Sequence, residues 1–328
     1  MKNILVTGGA GYIGSHCVKI LQDRGYTPIA LDNLVKGHKQ AISNAKLYIG
    51  DIADRELVAN ILREHSIDAV MHFAAYSLVG ESQSEPYKYY MNNVTATANL
   101  LQVMVECDVK RIVFSSTAAT YGSPKASHVT EDMPQNPINT YGETKLAMEH
   151  MMTAFDRAHS LRYTALRYFN VAGAYETGEI GEDHTPETHL IPNVLAVANG
   201  KRDKITIFGD DYNTPDGTNI RDYLHVVDLI DAHIKALEYL LADNPSDCFN
   251  LGSGGGYSNL EILNAARKVT GHAIPSDFGP RRDGDPDVLV AASQKAESVL
   301  NWHRQHESIE DIIASAWKWH KSHPNGYQ

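Results

Sequence analysis

Tyr141 and Lys145 stand four residues apart in the run Tyr141-Gly142-Glu143-Thr144-Lys145. On a helix that spacing puts both side chains on one face. A phenol works as a base near neutrality only if it loses most of its usual pKa. An ammonium about 5 Å away, at an effective dielectric near 20, supplies roughly 3 kcal/mol, or about 2 pKa units. A positively charged nicotinamide ring nearby would add more of the same sign, so this pair calls for a cofactor to complete it. An exposed helix face could carry Tyr-x-x-x-Lys by accident. Such an accident is less expected after a strand that ends Phe114-Ser115-Ser116-Thr117.

The cofactor side of that argument lies at the other end of the chain. Thr7-Gly8-Gly9-Ala10-Gly11-Tyr12-Ile13-Gly14 follows an apolar strand and opens an apolar-periodic helix. Strand, glycine turn and helix are what a dinucleotide phosphate site requires. One glycine makes the turn, one admits a pyrophosphate and one packs helix on strand, while the helix N-terminus offers unpaired N–H groups. Asp32 follows Gly14 at the end of the second strand, where a carboxylate can accept from both ribose hydroxyls and repels a 2′-phosphate. Asn33 after it is not basic, which favours NAD over NADP. Asp51-Ile52 ends the third strand and could meet the adenine, although Asp51 reads equally well as the N-cap of the helix from Arg55.

The elements that must position these residues alternate through the first half. Strands are predicted at Asn3–Val6, Thr27–Leu31, Lys46–Ile49, Ala69–Phe73, Arg111–Ser115 and Tyr163–Tyr168, with helices that include Tyr12–Asp23, Arg55–His65, Tyr87–Glu106 and Tyr141–His159. The pattern implies right-handed crossovers and a parallel sheet covered on both faces. After Phe169 the rhythm breaks. Val171–Glu187 reads as a long polar loop, followed by strand-like Ile205–Phe208, a helix at Val226–Leu241, a strand at Cys248–Leu251 and a helix at Asn259–Val269. The second half reads as a smaller lobe that interleaves with the first.

Bulk properties narrow the partners. A length of 328 residues fits one large or two intimate domains, and a net charge of −11 argues against nucleic acid or an anionic membrane as partner. Cys17, Cys107 and Cys248 lack metal or redox spacing, which suits a reducing cytoplasm. The strand beginning at Asn3 leaves no room for a signal peptide, and no apolar run reaches membrane-spanning length. Arg221, Arg281 and Arg282 lie in turn-like contexts suited to phosphate contact, although each alone also reads as surface charge. His184 and His189 flank an acidic loop, but no helix or second ligand pair fixes them, so no metal site is expected.

Taken together, these pieces resemble the extended short-chain dehydrogenase/reductase superfamily, and within it the UDP-hexose 4-epimerase family. The resemblance runs nearly end to end. It is carried by Gly8–His16, Asp32-Asn33, His72-Phe73-Ala74-Ala75, Gly80-Glu81-Ser82, Tyr89–Val94, Tyr141–Lys145, Arg167–Gly173, Gly217–Val226 and Arg281–Asp285. It implies an isomerase that interconverts UDP-glucose and UDP-galactose at C4 through tightly bound NAD, as in galactose metabolism. Tyr141 would be the base, Lys145 would bridge the nicotinamide ribose hydroxyls, and Thr117 would bond the sugar O4. Gly8, Gly11, Tyr12, Ile13, Gly14, Asp32, Asn33, Asp51, Ile52, Phe73, Ala74, Ala75, Asn92 and Tyr168 match cofactor positions. Asn170, His189, Leu190, Thr206, Phe208, Arg221, Tyr223, Arg282, Asp285 and Leu289 match substrate positions, with Phe208 near uracil and Leu289 beside the sugar C2 substituent.

The implied fold is α/β: a Rossmann-type doubly wound parallel sheet with a smaller mixed α/β C-terminal substrate lobe. The NAD-binding domain would span 1–169 and take in 219–251, and the UDP-sugar lobe would span 170–218 and 252–328. Family members commonly dimerise through two helices, here around 87–106 and 141–159, so a cytoplasmic homodimer is expected. Departures from the family pattern fall at Thr117, where many members have Ser, at Ser77, where some have Lys, and at His189, where some have Asn. A 4,6-dehydratase would need an acid and a base directly after Thr117, where this chain has Ala118 and Ala119. Epimerases of UDP-N-acetylhexosamines or UDP-uronic acids stay open, as do a net dehydrogenase and a catalytically silent NAD sensor.

Overall fold

The computed structural model of the protein describes residues 2–124, 126, 128–282 and 285–328. Asp283 and Gly284 of the Arg281–Asp285 motif lie outside the described residues.

Seven parallel strands form the main sheet, in the spatial order Asp247–Leu251, Arg162–Tyr168, Arg111–Ser115, Ala69–His72, Asn3–Thr7, Thr27–Asp32 and Lys46–Ile49. The side-chain period of two sends Ile4 and Val6 to one face and Leu5 to the other. Ile4 and Val6 pack with Leu229, Ile230 and Leu237 of the helix Val226–Leu241, alongside Cys17 and Leu21 of the helix Tyr12–Asp23. Leu5 packs with Val58 and Ile61 of Arg55–Glu64, Leu100 and Met104 of Ala96–Glu106, and Met148 and Met152 of Thr140–His159. Burial on both faces explains why the inner strands are largely apolar, whereas the edge strand Lys46–Ile49 exposes Lys46 and Ile49. The α/β class with a parallel sheet therefore holds.

Three local expectations are corrected. The N-cap of Arg55–Glu64 is Asp54, whose carboxylate accepts from Leu57 N at 3.0 Å, so Asp51 is not the cap. The helix expected over Tyr87–Glu106 is not uniform: Pro86–Tyr89 and Ala96–Glu106 are α-helical, and Tyr90–Thr95 between them is π-helical. An inserted residue of this kind widens one turn and redirects side chains, frequently at functional sites. Here Asn93 turns inward, accepting from Tyr76 N at 2.9 Å and donating to Thr144 Oγ1 at 3.1 Å. Finally, the stretch expected to be loop from Val171 begins as strand. Asn170–Ala172 pairs in parallel with Tyr223–His225.

The second lobe has its own core. Ile191 and Leu195 of the helix Leu190–Ala198 meet Ile205, Ile207, Ile262, Leu263, Ile312 and Ile313. A four-stranded sheet beside it runs Tyr257–Ser258, Ile220–Arg221, Val288–Ala291 and His128–Val129. Its last strand comes from the first half of the chain, so the two halves share backbone hydrogen bonds. Among the described residues no helix is long and apolar enough to cross a membrane.

Candidate active site

The glycine turn is built by sterics. Gly8 has φ +68°, and a Cβ there would lie 2.7 Å from Ala74 N, so the turn presses on the end of the neighbouring strand at Phe73-Ala74. A Cβ on Gly14 would stand 2.0 Å from Gly8 O, which fixes helix against turn. Gly11 differs: its Cβ would meet only Gly8 O, at an ordinary 3.4 Å. Among the described residues the protein's own atoms do not demand glycine there, whereas a pyrophosphate approaching the first turn of Tyr12–Asp23 would. This helix has no side-chain cap, and its N-cap is Gly11 itself. Ile13 and Gly14 open the helix, and the Tyr12 hydroxyl donates to Gly173 O at 2.7 Å, tying the turn to the second lobe.

Asp32 is buried. It accepts from Ala10 N at 2.9 Å and from Leu34 N at 2.8 Å, one bond on each oxygen. Burial raises its pKa, and those backbone donors oppose the rise. Each oxygen keeps a further lone pair, the provision that two ribose hydroxyls require. Asn33 donates to Asp51 Oδ2 at 3.0 Å, while Asp51 Oδ1 accepts from Ala53 N at 2.8 Å. Asn33 and Asp51 are thus joined, with Ile52 buried beside them. Glycine turn and carboxylate together fit an adenine dinucleotide.

Tyr141 opens the helix Thr140–His159, capped by Asn139, whose side chain accepts from Gly142 N at 2.8 Å. Ser82 of the Gly80-Glu81-Ser82 motif accepts from Tyr141 N at 3.1 Å. Burial pushes the Tyr141 phenol up to about 12, opposed by a hydrogen bond from Thr117. Thr117 itself ends the segment after Arg111–Ser115 and caps the short turn Ala118–Tyr121. The Lys145 Nζ lies 5.9 Å from the Tyr141 ring centroid, 4.8 Å from that of Phe114, and donates to Ser115 O at 2.8 Å. Burial lowers its pKa to about 7. The expected lowering of the phenol by its lysine is therefore corrected for the protein's own groups: desolvation dominates both. A base near neutrality here needs positive charge beyond what these side chains hold.

The other candidate cofactor positions lie at the ends of neighbouring strands and in the π segment. Phe73 packs against His233 at 4.9 Å, with Ala74 and Ala75 following it. Asn92 lies in the π segment and donates to Asn93. The buried Tyr168 hydroxyl bonds Ser115 Oγ, next to the carbonyl that holds Lys145.

The candidate substrate residues spread over the second lobe. Asn170 Nδ2 donates to Asp222 O at 3.0 Å, in the register where Tyr223, itself buried, faces it. Arg221 Nη1 donates to Ile220 O and Pro286 O. Its Nη2 is buried without a hydrogen bond, although it pairs with Asp285 at 3.4 Å. The Arg282 guanidinium lies 4.4 Å over the exposed Phe208 ring. Thr206 donates to Asp277 at 2.7 Å across the pairing of Ile205–Phe208 with Ser276–Gly279. His189 stands at the N-cap position of the helix that Leu190 begins. Leu289 pairs with Arg221 and packs against the cluster of Ala118, Tyr121 and Val129, whose first member follows Thr117 in the chain.

Several supporting residues escape a reading based on motifs. Glu149, one turn beyond Lys145, is gripped by Arg167 and accepts from Ser116 Oγ at 2.5 Å. Its i+4 spacing from Lys145 was the available signal. His72 bridges Thr7 at 2.6 Å and Thr97 at 3.0 Å, with burial holding its ring neutral, its pKa lowered to about 3.

A UDP-glucose 4-epimerase of Lactobacillus helveticus is 61% identical over 326 residues, covering 99% of each chain. The crystal structure of UDP-glucose 4-epimerase from Brucella ovis in complex with NAD matches with a TM-score of 0.95 and 44% identity, over 97% of this chain and 98% of that one. The enzyme of the same name from Bifidobacterium longum, in complex with NAD+ and UDP, matches with a TM-score of 0.94 and 40% identity, over 99% and 100%. The model of the NAD dependent epimerase/dehydratase family covers residues 4–252, from the first strand of the glycine turn to just past the last strand of the large sheet, and the chain belongs to that family.

Proposed function

We propose that this protein epimerises UDP-glucose and UDP-galactose at C4 with NAD as its bound cofactor. The observation that carries the reading is the grouping of Thr117, Tyr141 and Lys145 at the ends of strand Arg111–Ser115 and helix Thr140–His159, on the sheet that also carries the glycine turn. NAD, when bound, would supply the acceptor and then the donor of the C4 hydride, and its ring charge would favour a phenolate beside it. Tyr141 takes the O4 proton and gives it back. Thr117 holds O4 within reach of that phenol. Lys145, fixed by Ser115 O, orients toward the cofactor ribose. The sugar must turn over between the two half-reactions, so the lobe has to grip the nucleotide diphosphate rather than the hexose. Arg221 with its unbonded Nη2, Arg282 and Asn170 are suited to the diphosphate, Asp285 to the uridine ribose hydroxyls, and Phe208 offers uracil a flat apolar face.

On this reading residues 1–169 with 219–251 form the cofactor domain, and 170–218 with 252–328 form the sugar-nucleotide lobe. Three free thiols suit a cytoplasmic setting. Tyr87, 78% exposed, with Tyr90 and Met91 on the helical segments near Thr140–His159, supports a homodimer through those helices. Incubation of the purified protein with UDP-galactose, followed by NMR, is expected to yield UDP-glucose. NAD binding with no conversion would instead make the protein a sensor.

Cofactor choice gives a separate expectation. Asp32→Ala removes the buried carboxylate facing the ribose, so affinity for NADP relative to NAD should rise at least about tenfold. Equal binding of the two cofactors by the wild type, measured by titration, contradicts the assignment.

A second substrate class is favoured by one contact. Leu289 packs against the cluster of Ala118 and Tyr121 without an aromatic ring, leaving more room there than Tyr would. Some turnover of UDP-N-acetylgalactosamine is therefore expected. Leu289→Tyr should lower it relative to UDP-galactose turnover by about 10–100-fold. An unchanged ratio removes Leu289 as the gate.

A further inference from the structure

The loop that runs from Asn170–Ala172 to the helix Leu190–Ala198 brings together four side chains that the epimerisation does not require as a group. Glu182, His184, Glu187 and His189 each present one ligand-type atom, and all four atoms lie within 4.8 Å of one another. The second ligand pair that the sequence did not reveal is thus supplied by two carboxylates.

The spacings have a definite shape. His184 Nδ1 stands 3.2 Å from Glu182 Oε1 and 3.5 Å from Glu187 Oε2, and His189 Nδ1 stands 3.6 Å from Glu187 Oε1. Around a tetrahedral ion with bonds near 2.0–2.1 Å, donors are about 3.4 Å apart. Of the six edges of such a tetrahedron, the two from His184, to Glu182 Oε1 and to Glu187 Oε2, already match. A third, His189 Nδ1 to Glu182 Oε1 at 2.5 Å, is a hydrogen bond that an ion would replace. Glu182 is 4% exposed, and its carboxylate contacts run to the two imidazoles. A carboxylate so buried needs a cation or a proton donor beside it. Glu187 is held in place because its Oε1 accepts from Thr188 N and His189 N, both at 2.7 Å.

We infer that Glu182, His184, Glu187 and His189 bind one Zn2+ ion in a closed, structural site. Two imidazoles and two carboxylates suit a borderline cation better than Mg2+ or Ca2+, which take all-oxygen shells. Four protein ligands complete a tetrahedron and leave no open position for substrate. The ion's work is to hold the loop. Tyr12 of the glycine turn packs edge-on to His184 at 6.2 Å, and His189 stands at the N-cap position of the helix Leu190–Ala198, without a side-chain cap bond. The ion would thus join the cofactor turn to the helix of the substrate lobe. His189 uses Nδ1 toward the cluster, so Nε2 stays outside it, available to a phosphate.

The test is metal binding by the full chain, which does not depend on epimerase activity. Protein dialysed against chelator is titrated with Zn2+ by calorimetry and with Co2+ by visible absorption. One ion per chain is expected, with a tetrahedral Co2+ spectrum and a Zn2+-dependent rise in melting temperature. H184A/E187Q should weaken binding at least about 100-fold. Should the double variant not fold, E187Q alone, which keeps the side-chain shape, should weaken it at least about tenfold. Absence of saturable Zn2+ or Co2+ binding below about 10 μM overturns the site and leaves an ordinary proton-bridged cluster. Wild-type affinity in E187Q or in a folded H184A/E187Q overturns it equally, by placing the ion elsewhere.

Discussion

Tyr141→Phe is expected to slow epimerisation by at least about 100-fold while binding of NAD and UDP persists, because Phe keeps the ring and loses the hydroxyl proposed to accept the O4 proton. The surroundings of the phenol explain the size of the effect. Tyr141 is hydrogen-bonded to Thr117, and Lys145 is engaged by Ser115 O, so neither neighbour is arranged to take over the proton. Thr117 cannot ionise near neutrality, and the Lys145 amine is committed as a donor to Ser115 O. The helix start does not depend on the hydroxyl. Asn139 caps it, and Ser82 bonds Tyr141 through the backbone. Fold and ligand binding should therefore survive. NMR of UDP-galactose conversion, paired with titration of NAD and UDP, measures both sides. A rate within about tenfold of wild type would show that another group is the principal base.

Arg167→Met is expected to cost about 3–5 kcal/mol of stability, the usual consequence of removing one partner from a buried ion pair. Arg167 binds Glu149 through two parallel bonds, Nε to Oε1 at 3.0 Å and Nη2 to Oε2 at 2.6 Å, and its Nη1 donates to the Tyr121 hydroxyl at 2.7 Å. Tyr121 in turn donates to Asn250 at 2.8 Å. All four residues are buried. Without the guanidinium, the Glu149 carboxylate would keep Ser116 and Gln135 as donors but lose its hydrogen-bonded countercharge, leaving Lys145 one turn away as a weaker one. The same pair joins the helix that carries Lys145 to the segment that carries Thr117, so loss of stability should come with loss of activity. The denaturant midpoint and slope give the magnitude. Arg167→Met combined with Glu149→Leu should recover part of the loss, since the unpaired charge is then gone. A single-variant cost below about 1 kcal/mol would mean that solvent reaches Glu149.

The elements of the large sheet were legible because their signals are local. Short apolar runs alternating with helical periodicity specify buried parallel strands and crossovers, and the bounds of Lys46–Ile49, Arg111–Ser115, Tyr12–Asp23 and Val226–Leu241 match residue for residue. The π segment at Tyr90–Thr95 was not legible, since its apolar period is nearly that of an α-helix and its cause is the long-range demand of Tyr76 and Thr144 on Asn93. Asp51 and Asp54 offered two caps a few residues apart, and only the backbone path decided between them.

By itself the sequence determined the chemistry on offer: a glycine turn with Asp32 for a dinucleotide, a tyrosine and a lysine one turn apart, and arginines for a diphosphate. These are properties of residue type and of spacing within one element, where geometry follows from the 3.6 and 2.0 periods. Tertiary structure decided everything that depends on residues far apart in the chain. It set Thr117 against Tyr141, placed Glu149 under Arg167, inserted His128–Val129 into the sheet of the second lobe, and folded a polar loop so that two glutamates meet two histidines. It also set the pKa balance of the Tyr141–Lys145 pair, because the desolvation that raises one and lowers the other arises from side chains packed around them by the whole fold.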